Sequence, residues 1–332
     1  MAKHITQLDL FSGIGGFHLG FEKAGYKVKS YFSEIDKHAI AVYKHQFKDA
    51  EYVGSVTDVR GAQLPKIDLI TFGSPCQDFS LAGKRAGLAG DRSGLILEAI
   101  RLIRECRPSV FIWENVKGSF SSNDGRDFAA ILQEFTDLGG YRLEWQLLNT
   151  SWVLPQNRER VYLVGYSTKP GRNWRGVFPI GEKPSGTNEG TRDATNVRAL
   201  VAGAKSGGRH STMTLLKVKS ATKQGYEIAE EGDSINLTAI NSTTRRGRVG
   251  KAQAQTLDTL CAQAVIKEDR IRRLTPIECE RLQGFPDNHT AYGIYDGEVK
   301  KMSNTQRYKQ CGNAVTVDIV ALVAEAVKPI LK

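Results

Sequence analysis

Ile5-Thr6-Gln7-Leu8-Asp9-Leu10-Phe11-Ser12-Gly13-Ile14-Gly15-Gly16 runs from an apolar strand pattern into a glycine-rich turn, and Gly16–Ala24 continues with helical spacing. Strand, glycine turn and helix in that order open a nucleotide-binding α/β sheet. Glycines let backbone amides approach a ligand closely, and the helix start favours electron-rich groups. Glu34 follows about twenty residues on, at the end of the next apolar run, where an acid commonly binds ribose hydroxyls. Taken alone, these features also fit a dinucleotide site or a turn that binds nothing.

The same rhythm continues outward. Strand patterns at Ile5–Phe11, Lys29–Ser33, Ile67–Phe72, Val110–Glu114, Arg142–Asn149 and Arg160–Tyr166 alternate with helical ones. The helices fall at Gly16–Ala24, Lys37–Phe47, Gly94–Cys106 and Gly125–Leu138. Alternation of this kind predicts a βαβ sheet wound on both faces. Residues 171–212 then turn to Gly, Ser, Thr, Asn and basic side chains, with short strand patterns at 213–219, 234–240 and 253–266. Thr275-Pro276-Ile277-Glu278 reads as a capped helix start, and the apolar stretch from Asn313 to Val327 reads as one buried helix. The expected organisation is a core of residues 1–170 and 272–332 into which a loop-rich domain, 171–271, is inserted.

Composition narrows the class. The 332 residues carry 25% charged and 8% aromatic side chains, ordinary for a globular protein. No run of about 18 apolar residues suggests a membrane span, and the first ten residues lack a secretory layout. The expected location is therefore the cytosol. Five scattered cysteines with no Cys-x-x-Cys pair argue against a zinc site or a disulfide framework, so no metal is expected. Net charge is +10, and residues 169–273 hold 19 Lys and Arg against 10 Asp and Glu. That segment alone contributes +9, which suits a polyanionic partner.

Three further segments carry chemistry. Gly73-Ser74-Pro75-Cys76-Gln77-Asp78 ends the apolar run 67–72, so Cys76 projects from a strand's carboxyl end, where open α/β sheets bind ligands. A lone cysteine is usually a core filler, yet Pro75 and the polar Gln77-Asp78 oppose that here. A thiolate adding to carbon 6 of a pyrimidine makes carbon 5 nucleophilic toward a methyl donor. Glu114 ends Val110-Phe-Ile-Trp-Glu, and a carboxyl there can donate to ring nitrogen 3. Asn115 either positions that carboxyl or meets the base. Arg158 and Arg160 flank Glu159, and strand alternation predicts both on one face.

These blocks occur together in one order: DLFSGIGG, SEID, GSPCQDFS, ENV, QNRERVYLVG, RRLTPIECERLQGFPD and QCGNAV. Nearly end to end, the chain resembles DNA (cytosine-5) methyltransferases of the bacterial or phage type. The resemblance implies a Rossmann-like fold with a doubly wound mixed sheet, S-adenosylmethionine as cofactor and double-stranded DNA as partner. It implies Cys76 as nucleophile, Glu114 as acid, Arg160 on the base's carbonyl oxygen and Arg158 beside the thiolate. Phe11, Gly13, Ile14, Gly15, Glu34, Ser55, Val56, Asn313 and Ala314 would hold the cofactor. Ser55 stands where the family often has an acid for the adenine amine, and Asp58 is the alternative. Residues 80–96 match the family's mobile loop, with Ser80, Gly83 and Lys84 toward DNA. Residues 171–271 match its target-recognition domain, including the Thr256-Leu257 pair, and Arg209, Arg245, Arg246 and Arg248 are candidates to reach DNA.

The expected protein is a monomer that extrudes a cytosine and methylates it, from a restriction-modification system or a phage. A tRNA methyltransferase is the nearest alternative, but such relatives have a much reduced recognition domain. A silent DNA-binding relative would not need Cys76, Glu114 and Arg160 together.

Overall fold

The computed structural model describes residues 2–74, 94–120, 122–168, 176–181, 216–238, 244, 246–267 and 270–331. The first part of the chain supplies β1 Lys3–Leu10, α1 Gly16–Lys23, β2 Tyr26–Ser33, α2 Lys37–Gln46, β3 Glu51–Tyr52 and β4 Leu69–Phe72. It continues with α3 Gly94–Cys106, β5 Val110–Val116, α4 Arg126–Thr136, β6 Tyr141–Asn149, β7 Gln156–Asn157 and β8 Glu159–Ser167. Seven strands form one sheet in the order β3-β2-β1-β4-β5-β8-β6. β3, β2, β1, β4 and β5 run parallel, whereas β8 is antiparallel to both β5 and β6. The sheet is mixed, as the resemblance implies.

Burial explains why the strands were legible. Val110 and Ile112 of β5 enter the apolar cluster that holds α1, while Phe111 and Trp113 enter the one that holds α3 and α4. A strand covered on both faces has to be apolar at every position. Each fully buried large side chain contributes about 1.5–3 kcal/mol. The helices are amphipathic: α3 buries Ile96, Ala99, Ile100, Leu102 and Ile103 and leaves its charges outside. β1 lies between β2 and β4, so the chain winds outward one way and returns on the other side. The crevice at that reversal is where such sheets bind ligands.

Beyond β8 the described elements are short: β9 Leu216–Lys219, β10 Tyr226–Ala229, β11 Ser234–Asn236, β12 Val249–Gly250, β13 Ala254–Gln255, β14 Gln263–Lys267 and β15 Arg270–Arg273. β9 and β10 pair as a hairpin, and β12-β11-β14-β15 form a four-stranded sheet. α5 Pro276–Leu282 opens with the expected capping box between Thr275 and Glu278. A hairpin of β16 Tyr292–Tyr295 and β17 Glu298–Lys301 follows, then α6 Asn304–Asn313 and α7 Val317–Ala326.

Three sequence expectations need correction. The 253–266 pattern is not one strand: β13 ends at Gln255 and β14 starts at Gln263, with Cys261 at φ of 42° between them. The C-terminal stretch is not one helix from Asn313, because Asn313 ends α6 and α7 starts only at Val317. Tertiary partners capture the groups between: Arg158 donates to the Ala314 carbonyl (2.7 Å), Thr316 Oγ1 meets Thr150 Oγ1 (2.8 Å), and Val317 N donates to Gln283 O (2.9 Å). Strand alternation also does not set Arg158, because β8 begins at Glu159.

Candidate active site

Phe11, Ser12, Gly13, Ile14 and Gly15 carry the chain from β1 to α1 across the crevice. Gly13 and Gly15 have φ of 54° and 84°, and even Phe11 has φ of 51°. A non-glycine residue held in that region costs on the order of 1–3 kcal/mol and marks a functional turn. Gly13 N donates to Glu34 Oε2 (2.9 Å), which ties the turn to the end of β2. The other Glu34 oxygen accepts from Ile35 N (2.7 Å) and Asp36 N (3.0 Å). Phe11 packs on the cluster that contains Val56, and Ile14 shares a cluster with Ala314. Asn313 stays exposed beside it. Ser55 Oγ meets Thr57 Oγ1 (3.0 Å), and the exposed Asp58 accepts from the same threonine (3.3 Å). An acid, glycine amides and apolar walls thus converge at one edge, which fits an adenosine-bearing cofactor.

Beneath this turn Asp9 is fully buried and accepts from Thr71 Oγ1 (2.8 Å) and Tyr43 OH (3.3 Å). Loss of hydration pushes its carboxyl up to about 8, despite those two donors.

The second half of the site lies at the ends of β4, β5 and β8. Arg160 Nε stands 3.1 Å from Glu114 Oε1, with only 16% and 10% of the two side chains exposed. Yet Glu114 Oε1 accepts no hydrogen bond among the described residues, so the pair is ionic and misaligned. A buried carboxylate oxygen therefore keeps its capacity for a ligand. A Cβ added at Gly73 would lie 3.1 Å from Glu114 Oε2, so the end of β4 runs directly past this carboxyl. Ser74 is braced there: Trp113 Nε1 donates to its Oγ (3.1 Å), and Asn115 Nδ2 to the same oxygen (3.3 Å). Asn115 Oδ1 accepts from Val116 N (2.7 Å). Asn115 thus fixes Ser74 at the end of β4, which is neither of the two roles its position suggested.

Arg158 has a different environment from Arg160. Only 3% exposed, it donates to Ala314 O (2.7 Å) and makes longer contacts to Leu257 O and Gly312 O (3.4 Å each). Burial first, then the nearby Arg160 charge, depresses its guanidinium to about 9, still protonated at neutral pH. It joins the Thr256-Leu257 segment to the C-terminal block. β7 and β13 strengthen that joint by pairing in parallel over Gln156–Asn157 and Ala254–Gln255. Gln156 Oε1 accepts from Leu257 N (3.0 Å), and Thr256 Oγ1 donates to Asn157 O (2.8 Å).

Cys76, Ser80, Gly83, Lys84, Arg209 and Arg245 lie outside the described residues. Arg246 is exposed and donates to Ala221 O (2.9 Å). Arg248 is only 2% exposed and Leu257 1%, so neither presents its side chain to solvent. The basic composition of 169–273 gave no means of separating such an arginine from a displayed one. Sequence reasoning also passed over His289, which is buried with its Nε2 against Ile14 O (2.9 Å) under the glycine turn. Burial lowers its imidazole to about 4, so it is neutral at physiological pH.

A doubly wound mixed sheet with a glycine turn and an acid on its crevice is the fold of S-adenosylmethionine-dependent methyltransferases. Residues 5–329 match the C-5 cytosine-specific DNA methylases, and the chain belongs to that family. It is 34% identical to the Type II methyltransferase M1.ScrFI of Lactococcus lactis subsp. cremoris, over 98% of this chain and 78% of that protein. Identity to the Type II methyltransferase M.HpaII of Haemophilus parainfluenzae is 31%, over 96% of this chain and 88% of that one. Among solved structures, the Entamoeba histolytica methyltransferase EhMeth superposes with a TM-score of 0.63 at 18% identity, covering 99% of each chain. The S. pombe Dnmt2 methyltransferase gives 0.62 at 17%, over 98% of this chain and 99% of that one. The protein is a methyltransferase acting on carbon 5 of cytosine in DNA.

Proposed function

We propose that the protein methylates one cytosine within a specific duplex sequence, as the modification enzyme of a restriction-modification system or a phage, and that it acts as a monomer on DNA in the bacterial cytoplasm. Residues 1–170 and 272–332 form the catalytic part, and 171–271 the recognition domain. The observation that carries the chemistry is the buried Glu114 carboxyl, paired with Arg160, unsatisfied at Oε1 and adjacent to the Gly73-Ser74 lead into Cys76.

Glu34 and the 11–15 turn would hold S-adenosylmethionine, with Phe11, Val56, Asn313 and Ala314 as further contacts and Ser55 or Asp58 for the adenine amine. Bound there, it supplies an electrophilic methyl group. The chain's own residues prepare the acceptor. The target base leaves the stack, since its ring carbons cannot be reached inside a duplex. Cys76 thiolate adds to carbon 6, and Glu114 shares a proton with ring nitrogen 3 to drain the resulting charge. Arg160 keeps Glu114 in place and reaches the ring's carbonyl oxygen. Arg158 acts through position, binding the Thr256-Leu257 segment to the cofactor's C-terminal wall. After methylation at carbon 5, loss of the carbon 5 proton expels the Cys76 thiolate and restores the ring.

Bisulfite sequencing of DNA from cells expressing the protein tests the base and its context together. A duplex with 5-fluorocytosine at the site so found should become covalently joined to the wild-type protein. Cys76→Ser should bind the same duplex without forming the adduct or turning over. An adduct in that variant would remove Cys76 as the nucleophile.

A further inference from the structure

A cavity of about 290 Å³ opens beside the Glu114–Arg160 pair, and its walls include Lys117, Asn157, Glu159, Arg160 and Thr256. Two cations line it, and they differ in commitment. Arg160 is largely enclosed, its Nε against Glu114 (3.1 Å) and its Nη1 on Glu159 O (2.8 Å). Lys117 is at the lip with 60% of its side chain exposed, and its Nζ meets Glu159 Oε2 at 2.9 Å.

We propose that Lys117 takes a backbone phosphate flanking the extruded cytosine, and that Glu159 holds the ammonium in readiness until DNA arrives. This rests on the assignment of the crevice as the cytosine pocket. A flipped base remains tethered to its duplex on both sides, so its phosphates stay at the mouth when the ring goes in. Lys117 comes directly after β5, three positions beyond Glu114, which places the base contact and the phosphate contact on one strand end. Thr256 holds the opposite wall through its bond to Asn157 O (2.8 Å). Exchange of partners costs little: an exposed ion pair is worth at most about 1 kcal/mol, and Glu159, 38% exposed, rehydrates when released. A phosphate oxygen accepts a charge-assisted bond at least as well as the carboxylate. With Lys117 withdrawn, Glu159 would face the phosphate directly, and repulsion would hold the nucleotide out.

The test uses single-turnover methylation by the full-length protein on the duplex identified by bisulfite sequencing. Its phosphates are either ordinary or replaced singly by a neutral methylphosphonate, 5′ or 3′ to the target cytosine. Lys117→Gln should slow the ordinary duplex by about 10-fold, with melting temperature and S-adenosylmethionine affinity unchanged. One of the two methylphosphonates should slow the wild type to the same extent and the variant no further. Lys117→Arg should recover most of the rate. A wild-type rate in Lys117→Gln, or losses that multiply at both methylphosphonates, would overturn the role of Lys117. Failure of the wild type to form the 5-fluorocytosine adduct would overturn the pocket assignment and this proposal with it.

Discussion

Replacing Arg160 with Met removes the charge opposite Glu114 and keeps most of the aliphatic stem. With only 16% and 10% of the paired side chains exposed, the variant strands a largely desolvated carboxylate. Breaking a buried pair from one side costs about 3–5 kcal/mol. Arg158 still acts on this site electrostatically, but its two Nη groups are engaged by carbonyls, so the loss at pH 7 should fall at the low end, about 3 kcal/mol. Urea unfolding of both proteins at pH 7 measures the difference. Arg160→Met/Glu114→Gln should recover most of the stability at pH 7, since no buried charge is left, while remaining inactive. A penalty below about 1 kcal/mol in the single variant, or no recovery in the double variant, would refute the reasoning.

Glu114→Gln alone should slow the methyl-transfer step at least 100-fold while cofactor affinity changes less than about 3-fold; rapid-quench kinetics beside calorimetric titration separates the two, and equal losses would point to misfolding. Asp9 keeps its proton in the folded state up to about pH 8 but loses it near 3.8 when unfolded, so its contribution to stability falls as pH rises between those values. Asp9→Asn should therefore gain on the wild type from pH 5 to 8, by at most about 1.4 kcal/mol per unit, and parallel urea midpoints across that range would contradict the assignment. Gly312→Ala would put a Cβ 2.1 Å from the Asp258 carbonyl, where backbone cannot yield easily. It should cost about 1–3 kcal/mol; an unchanged melting temperature would show that the joint between the Thr256–Asp258 segment and the C-terminal block is loose.

Local physics made much of this protein readable. Strands buried on both faces had to be apolar throughout, so β5 was visible at Val110–Glu114 before its partners were known. The capping box at Thr275 and Glu278 is a contact within one helical turn, and it occurs as expected. One equally local signal went unread: Asp296-Gly297, with φ of 50° and 84°, closes the β16–β17 hairpin. The acid, the arginines and the glycine turn were legible as types in order, because each chemistry needs its own side chain.

Sequence by itself determined most strands of the large sheet, the helices between them and the inventory of reactive groups, since periodicity, caps and turns act over a few residues. Tertiary structure alone decided which groups meet. Arg158 is held by carbonyls about 100 and 155 residues away, and Arg248 is enclosed while Arg246 is displayed. Partners so distant leave no mark on local pattern. Their meeting depends on closure of the whole chain, whose entropic cost the packed core must outweigh before any single contact can form.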